Sequence, residues 1–266
     1  DGTIAKAGGK VVKNVAGYDL AKLFTGSLGT LGVIVAATFR LYPLPAASQT
    51  VLLTAPEPAP LCDLVLRIIG SPLTPTIIDI ADPAVLDGVC VLAVRFETLL
   101  AAAQQQANRT IEMAGALGAT AQTLDGAAEA TFWQRVPVAR AFSDDPRSAL
   151  TVKASLLPTE IAGWLERLRQ VVHAADLAVR WRAHAGHGLV FARLAGADAD
   201  LVTAVEQLRR AAIEHRGTLV VTDAPPALAR QIDVWGPSPA ADLMRRVKER
   251  FDPNATLNPG RFLGKI

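Results

Sequence analysis

Three glycines spaced three apart, Gly26, Gly29 and Gly32, enclose Ser27, Leu28, Thr30 and Leu31. Glycine lets a backbone take positive φ and approach a ligand closely. Here the glycines set two hydroxyls among main-chain N–H groups, a combination suited to the oxygens of a pyrophosphate. In the common dinucleotide fingerprint the glycines follow a strand and open a helix. Here they precede a strand-like run, Val33–Leu41, so taken alone the segment reads more readily as a plain turn.

The second candidate is His184, in the turn His184-Ala185-Gly186-His187-Gly188. An imidazole there could act as a base or donate a hydrogen bond to an anion, or simply occupy a surface turn. His184 and His187 lie three apart on a turn, not on one face of a helix. Catalytic metal sites generally use three protein ligands, so no metal is expected. His173 and His215 fall in the last turns of helical stretches, where a cation suits the helix dipole, and read as structural. Cys62 and Cys90 sit in apolar surroundings outside any C-x-x-C pair and read as buried thiols. Two thiols do not make an iron–sulfur cluster.

The bulk composition sets bounds on these candidates. The chain has 266 residues, a formal net charge of +2, 50% hydrophobic and 20% charged residues. A sizeable core is affordable and disorder is not expected. The densest basic run, Arg245-Arg246 with Lys248 and Arg250, lies on a helical pattern and reads as a solvated face, so no nucleic-acid partner is expected. No apolar run is long enough to span a membrane. Asp1-Gly2 looks like a turn without its preceding strand, so the chain is expected to begin inside a domain.

Periodicity then places the elements. Thr3–Ala7 and Val33–Leu41 read as strands, and the Pro/Ala/Ser stretch at 43–48 as a boundary. The middle reads as strand 51–54, helix 59–70, strands 76–80 and 89–96, helix 99–117 and strand 119–124. The order repeats as strand 150–156, helix 159–174, strands 177–183 and 188–194, helix 199–216 and strand 218–222. Two β-α-β-β-α-β units in tandem suggest two ferredoxin-like halves. Residues 125–148 read as a surface connection between them. A last amphipathic helix, 239–251, ends at Pro253.

The segment Lys13-Asn14-Val15-Ala16-Gly17-Tyr18-Asp19-Leu20, then Gly26-Ser27-Leu28-Gly29-Thr30-Leu31-Gly32, resembles the vanillyl-alcohol oxidase-like FAD-linked oxidases. Within them it is similar to the D-lactate dehydrogenase/glycolate oxidase branch, whose pattern is K-N-x-x-G-Y-D-L followed by G-S-x-G-T-L-G. The tail, Phe251-Asp252-Pro253 and Asn258-Pro259-Gly260-Arg261, looks like that branch's F-D-P-x-x-x-x-N-P-G-[KR] ending. Leu28 and Val234-Trp235-Gly236 are similar to the E-subunit type of glycolate oxidase. The resemblance implies an α+β chain. Residues 1–47 would be the C-terminal part of the FAD-binding domain, 48–225 a cap of two tandem ferredoxin-like units, and 226–266 a segment returning to the FAD-binding domain. The first phosphate-binding loop of the family would lie upstream.

The resemblance further implies FAD as cofactor and oxidation of a small 2-hydroxy acid to a 2-oxo acid. Gly26, Ser27, Gly29, Thr30, Gly32 and the backbone of Val33 and Ile34 would contact the adenosine and pyrophosphate. Lys13 and Asn14 would lie toward the flavin, Asn258 would close the site from the tail, and His184 is the catalytic candidate. Implied partners are a paralogous FAD-containing catalytic subunit and an iron–sulfur subunit. The implied location is cytoplasmic, with peripheral membrane association through the complex. Catalytic relatives carry H-x-G-x-G-N-x-H in the cap, whose histidines bind a divalent metal. Here Leu189 and Phe191 stand at the Asn and second His positions. The departure points to an electron-relay or structural subunit. The alternative is a ferredoxin-like interaction or ligand-binding module that no longer holds flavin.

Overall fold

Two runs of four strands, each interleaved with two helices, build most of this chain. The structure is a computed structural model that describes residues 2–9, 17–86, 88–115, 119–136 and 148–266. A short helix α1 (Leu20–Phe24) comes first. Then follow β1 (Ala47–Ala55), α2 (Pro58–Ile69), β2 (Ile77–Leu86), β3 (Val89–Thr98), α3 (Leu100–Gly115), β4 (Thr120–Leu124) and α4 (Gly126–Arg135). The second run comprises β5 (Ser148–Ser155), α5 (Ile161–Ala174), β6 (Ala178–His184), β7 (Leu189–Gly196), α6 (Asp198–Glu214) and β8 (Thr218–Asp223). Two further helices, α7 (Pro226–Ala229) and α8 (Ala241–Phe251), complete the set. The chain divides into two compact units, one of Asp1–Pro43 with Trp235–Ile266 and the other of Leu44–Val234.

In the larger unit the strands form one eight-stranded sheet in the order β4-β1-β3-β2-β6-β7-β5-β8. All the pairings are antiparallel. Read from its outer edge inward, each half has its fourth, first, third and second strand in that order. Both halves are therefore ferredoxin-like, and β2 and β6 join them through Asp79↔His184, Ile80↔Ala183 and Ala81↔Arg182.

The period-2 alternation of strands divides the sheet's side chains between two faces. Val51, Leu53, Leu92, Val94, Leu150, Val152, Val190 and Leu194 form one buried face. Helices α2, α3, α5 and α6 cover it with Leu64, Ile68, Ala103, Trp164, Leu168, Val205 and Leu208. The other face differs between halves. In the first half it is apolar, with Leu52, Ala81, Val91 and Ala93 packed against Phe132 and Val136. In the second half it is largely polar.

Helix α4 corrects the expectation that 125–148 is only a surface connection; residues 137–147 of that stretch lie outside the described residues. The apolar half of the second face needs cover, and α4 supplies it. Its Glu129 is 4% exposed. Glu129 accepts from Ser48 Oγ at 2.9 Å and pairs with Arg95 Nε at 3.2 Å. A buried acid is tolerated because these donors satisfy it.

The smaller unit carries α1, the glycine-rich turn, an extended segment, α8 and the tail. Phe24 of α1 meets Phe251 of α8 edge to face, with ring centroids 5.3 Å apart. The run Val33–Leu41, expected as a strand, forms no strand and pairs with none among the described residues, and Val33, Val35, Phe39 and Leu41 are exposed. Thr3–Ala7 is likewise not a strand. Composition favours a strand, but a strand also needs a neighbour to take its N–H and C=O groups.

Candidate functional site

Each unit holds one cluster of residues able to do chemistry. In the smaller unit it is the glycine-rich turn. Thr30 N–H donates to Ser27 O at 3.0 Å, closing a turn whose central residues Leu28 and Gly29 have φ of 53° and 73°. Positive φ at both central positions is the pattern of a type I′ turn. It is uncommon for a leucine, so something must hold it.

Three groups do so. The Thr30 hydroxyl donates to Ser27 O at 2.8 Å. The Asn258 side-chain amide donates to Leu28 O at 2.8 Å. The Lys248 ammonium donates to Thr30 O at 2.8 Å. Gly29 must be glycine on a second count, since a Cβ there would lie 2.8 Å from Asn258 Nδ2. The carbonyls of Ser27, Leu28 and Thr30 are thus all engaged within the protein. The amides of Leu28, Gly29, Leu31 and Gly32 have no partner among the described residues. Unspent backbone donors in a turn are groups that could serve an anion. Ser27 and Thr30 are buried, with the Thr30 hydroxyl occupied by the turn itself. Val33 and Ile34 are exposed. Lys13 and Asn14 lie outside the described residues.

Of the basic run expected as a solvated face, Arg245, Arg246 and Arg250 are exposed and Lys248 is not. It is 6% exposed. Besides Thr30 O it donates to Leu257 O at 2.8 Å and to Asp252 Oδ2 at 2.5 Å. Asp252 also accepts from the Thr256 and Leu257 amides at 3.1 and 2.8 Å. The Lys248 hydrogen bond, followed by that from the Leu257 amide, holds the Asp252 carboxyl well below the usual carboxylate range. The signal for this pair was a Lys and an acid four apart, Lys248 and Asp252, which is also the ordinary signature of an exposed helix pair.

In the larger unit the cluster lies on the polar face of the sheet's second half. Residues directly opposite on paired strands share a face. By register, Arg182, Phe191, Lys153 and Val220 form one row across β6, β7, β5 and β8. Arg180, Arg193, Thr151 and Asp223 form the next, and His184, Leu189, Ser155 and Thr218 a third. At the junction of the halves Asp79 is 2% exposed. Its Oδ2 accepts from Arg182 Nε at 2.7 Å, and its Oδ1 lies 2.8 Å from His184 Nδ1. With Nδ1–H given to this carboxylate, the neutral ring carries its lone pair on Nε2, which has no partner among the described residues. The His184 ring also meets Phe191 edge to face at 5.5 Å, and Arg182 stacks on Trp133 of α4 at 5.8 Å.

Two further cations are balanced on this face. Arg180 Nε pairs with Asp82 Oδ2 at 3.0 Å, and Arg193 NH1 with Asp223 Oδ2 at 2.9 Å. Lys153 is partly exposed and has no hydrogen-bond or ion-pair partner among the described residues. The β6–β7 turn depends on Gly188, whose φ is 71° and whose Cβ would fall 1.9 Å from Leu156 O. Asp79, Arg182 and Lys153 were not singled out from sequence. The signal was present in Asp79 as the one acid within Thr76–Ile80, and in the i, i+2 spacing of Arg182 and His184.

These residues do not fit a divalent metal. Among the described residues no group of three or more His, Cys, Asp or Glu side chains could hold one. His184 spends Nδ1 on Asp79, and its cross-strand neighbours Leu189 and Phe191 offer no lone pair to a cation.

The family model of the C-terminal domain of FAD-linked oxidases matches residues 44–222 and 228–262. The chain belongs to the FAD-linked oxidase family, whose cofactor is FAD. It is 28% identical over 289 residues to glycolate oxidase subunit GlcD of Bacillus subtilis, covering 100% of this chain and 61% of that protein. It is 54% identical over 41 residues to glycolate oxidase subunit GlcE of Escherichia coli, covering 15% of this chain and 12% of that one. Among solved structures, alkyldihydroxyacetonephosphate synthase matches with a TM-score of 0.68 at 17% identity, over 94% of this chain and 52% of that one. The α+β fold and the family membership are as expected from the glycine-rich segment, the tail and the repeated element order. This chain spans less than two thirds of the GlcD relative.

Proposed function

We propose that this chain is the FAD-binding subunit of a glycolate oxidase-type oxidoreductase that converts a small 2-hydroxy acid to the 2-oxo acid. The observation that carries the proposal is the Gly26–Gly32 turn. In a chain of the FAD-linked oxidases, its carbonyls are tied inward and four of its amides are unspent. The amides of Leu28, Gly29, Leu31 and Gly32 would hold the pyrophosphate, with Thr30 spent on closing the turn and Asn258 bracing it from the tail. FAD, when bound, supplies the two-electron acceptor.

The polar sheet face supports the substrate class. Oxidising a 2-hydroxy acid removes a hydride from the carbinol carbon and a proton from its hydroxyl, while the carboxylate must be held. Lys153, unpaired among the described residues, and Arg182 on the same face are suited to that carboxylate. His184 is held through Nδ1 by Asp79, and in the neutral tautomer with Nδ1–H its Nε2 could take the hydroxyl proton. Matches to both a GlcD-type and a GlcE-type subunit favour a multi-subunit assembly. In it a paralogous flavoprotein would be the principal catalyst, an iron–sulfur subunit would accept electrons, and this chain would serve as relay or structural partner. The test is anaerobic mixing of the purified, FAD-loaded protein with glycolate and with D-lactate while following flavin absorbance. Bleaching by either acid supports a substrate-oxidising role. A flavin that only the assembled complex reduces supports the relay. A protein that takes up no FAD ends both readings.

A further inference from the structure

We infer that the buried Lys248–Asp252 pair is the positioning device for the dinucleotide turn, and that the charge of Lys248 serves to fix backbone geometry instead of meeting the ligand. The inference rests on the reading that the Gly26–Gly32 turn takes the FAD pyrophosphate. A lysine has three donors and no acceptor. All three are accounted for here by Thr30 O, Leu257 O and Asp252 Oδ2, at 2.8, 2.8 and 2.5 Å. One ammonium therefore ties α8 to the glycine-rich turn on one side and to the tail loop on the other.

The consequence lies in the direction of the peptide groups. Thr30 O is held by Lys248 and Leu28 O by Asn258, whose own φ is 42° and which directly follows Thr256 and Leu257, the two residues whose amides donate to Asp252. Drawing the Ser27, Leu28 and Thr30 carbonyls onto internal donors leaves the amides of the same peptide groups, those of Leu28, Gly29 and Leu31, without partners among the described residues. Asp252 neutralises the ammonium and fastens Thr256 and Leu257, so Asn258 reaches the turn from a fixed base. Pre-organised donors bind an anion without the cost of ordering them first. Exposed Lys or Arg would be the expected anion ligands at such a site. Here the cation is buried, and its influence is transmitted through the main chain.

The test uses the purified protein and the variants K248M, K248R and N258G, with FAD affinity read by quenching of flavin fluorescence. Hydrogen exchange of the peptide covering 26–32 is followed without ligand. K248M is expected to bind FAD about tenfold or more weakly, the loss that follows from one or two charge-assisted hydrogen bonds. Its turn should exchange faster while the eight-stranded sheet keeps its protection. K248R, which keeps the charge and the donors, is expected to recover part of the affinity. N258G tolerates the positive φ and lies outside the buried pair, so it reports on the brace even where K248M does not fold, and it is expected to weaken binding in the same direction. Wild-type binding matched by K248M, or by N258G, overturns the inference alone. Absence of FAD binding by the wild-type protein overturns the inference together with the functional reading.

Discussion

At the scale of single residues, the chain's charged groups act mostly on each other. Asp79 lies buried between Arg182 and His184, and removing one partner of a buried pair leaves the other charge uncompensated. R182M is therefore predicted to destabilise the larger unit by about 3–5 kcal/mol, measurable by urea unfolding. Where this chain oxidises the substrate itself, H184N should lower turnover by about a hundredfold or more with little change in FAD affinity, the range of a lost general base. Where it serves as a relay, H184N should leave turnover of the assembled complex unchanged. Asp252 gives a pH-dependent signature. Its folded pKa is depressed, so its stabilising contribution is present above the unfolded value of about 3.9 and is lost as pH falls toward the folded one. The difference in Tm between wild type and D252N should be full near neutral pH and shrink steadily below about pH 4. The thiols are the contrasting case. Burial pushes Cys62 up to about 12 and Cys90 up to about 11. Neither should react with a disulfide reagent at pH 8 until the protein unfolds.

At the scale of elements, legibility followed how local each signal was. The amphipathic helix α5 was readable because Trp164, Leu165, Leu168, Val171 and Val172 repeat at helical spacing, and all are buried. The glycine-rich turn was readable because its conformational demand is written in residue types. Helix α4 was missed because its role, covering Leu52 and Ala93 on the sheet's second face, is set by residues far away in sequence. Lys248 was misread for the same reason: local spacing showed a helix pair, and the partner that matters is a carbonyl 218 positions away. Val33–Leu41 shows the converse, a segment with strand composition but no described strand to pair with. A test at this scale is Gly188. G188A would place a methyl on Leu156 O and force alanine to positive φ, with a predicted loss of about 3 kcal/mol or more. A wild-type melting curve for G188A would contradict the account of the β6–β7 turn.

At the scale of the whole molecule, two kinds of site reside in two compact units. One is a turn of unspent amides in the unit of Asp1–Pro43 and Trp235–Ile266, the other a cationic sheet face with an oriented imidazole in Leu44–Val234. The tandem ferredoxin-like order makes that face possible. Joining two four-stranded halves at β2 and β6 brings Asp79 of one half against His184 and Arg182 of the other. The central claim is that the Gly26–Gly32 turn holds FAD, and titration of FAD into the purified wild-type and G29A proteins tests it most directly. The account predicts saturable one-to-one binding in the wild type and affinity weakened about tenfold or more in G29A, where the added Cβ would displace Asn258 from the turn. No saturable binding in the wild type, or equal affinity in G29A, would contradict it.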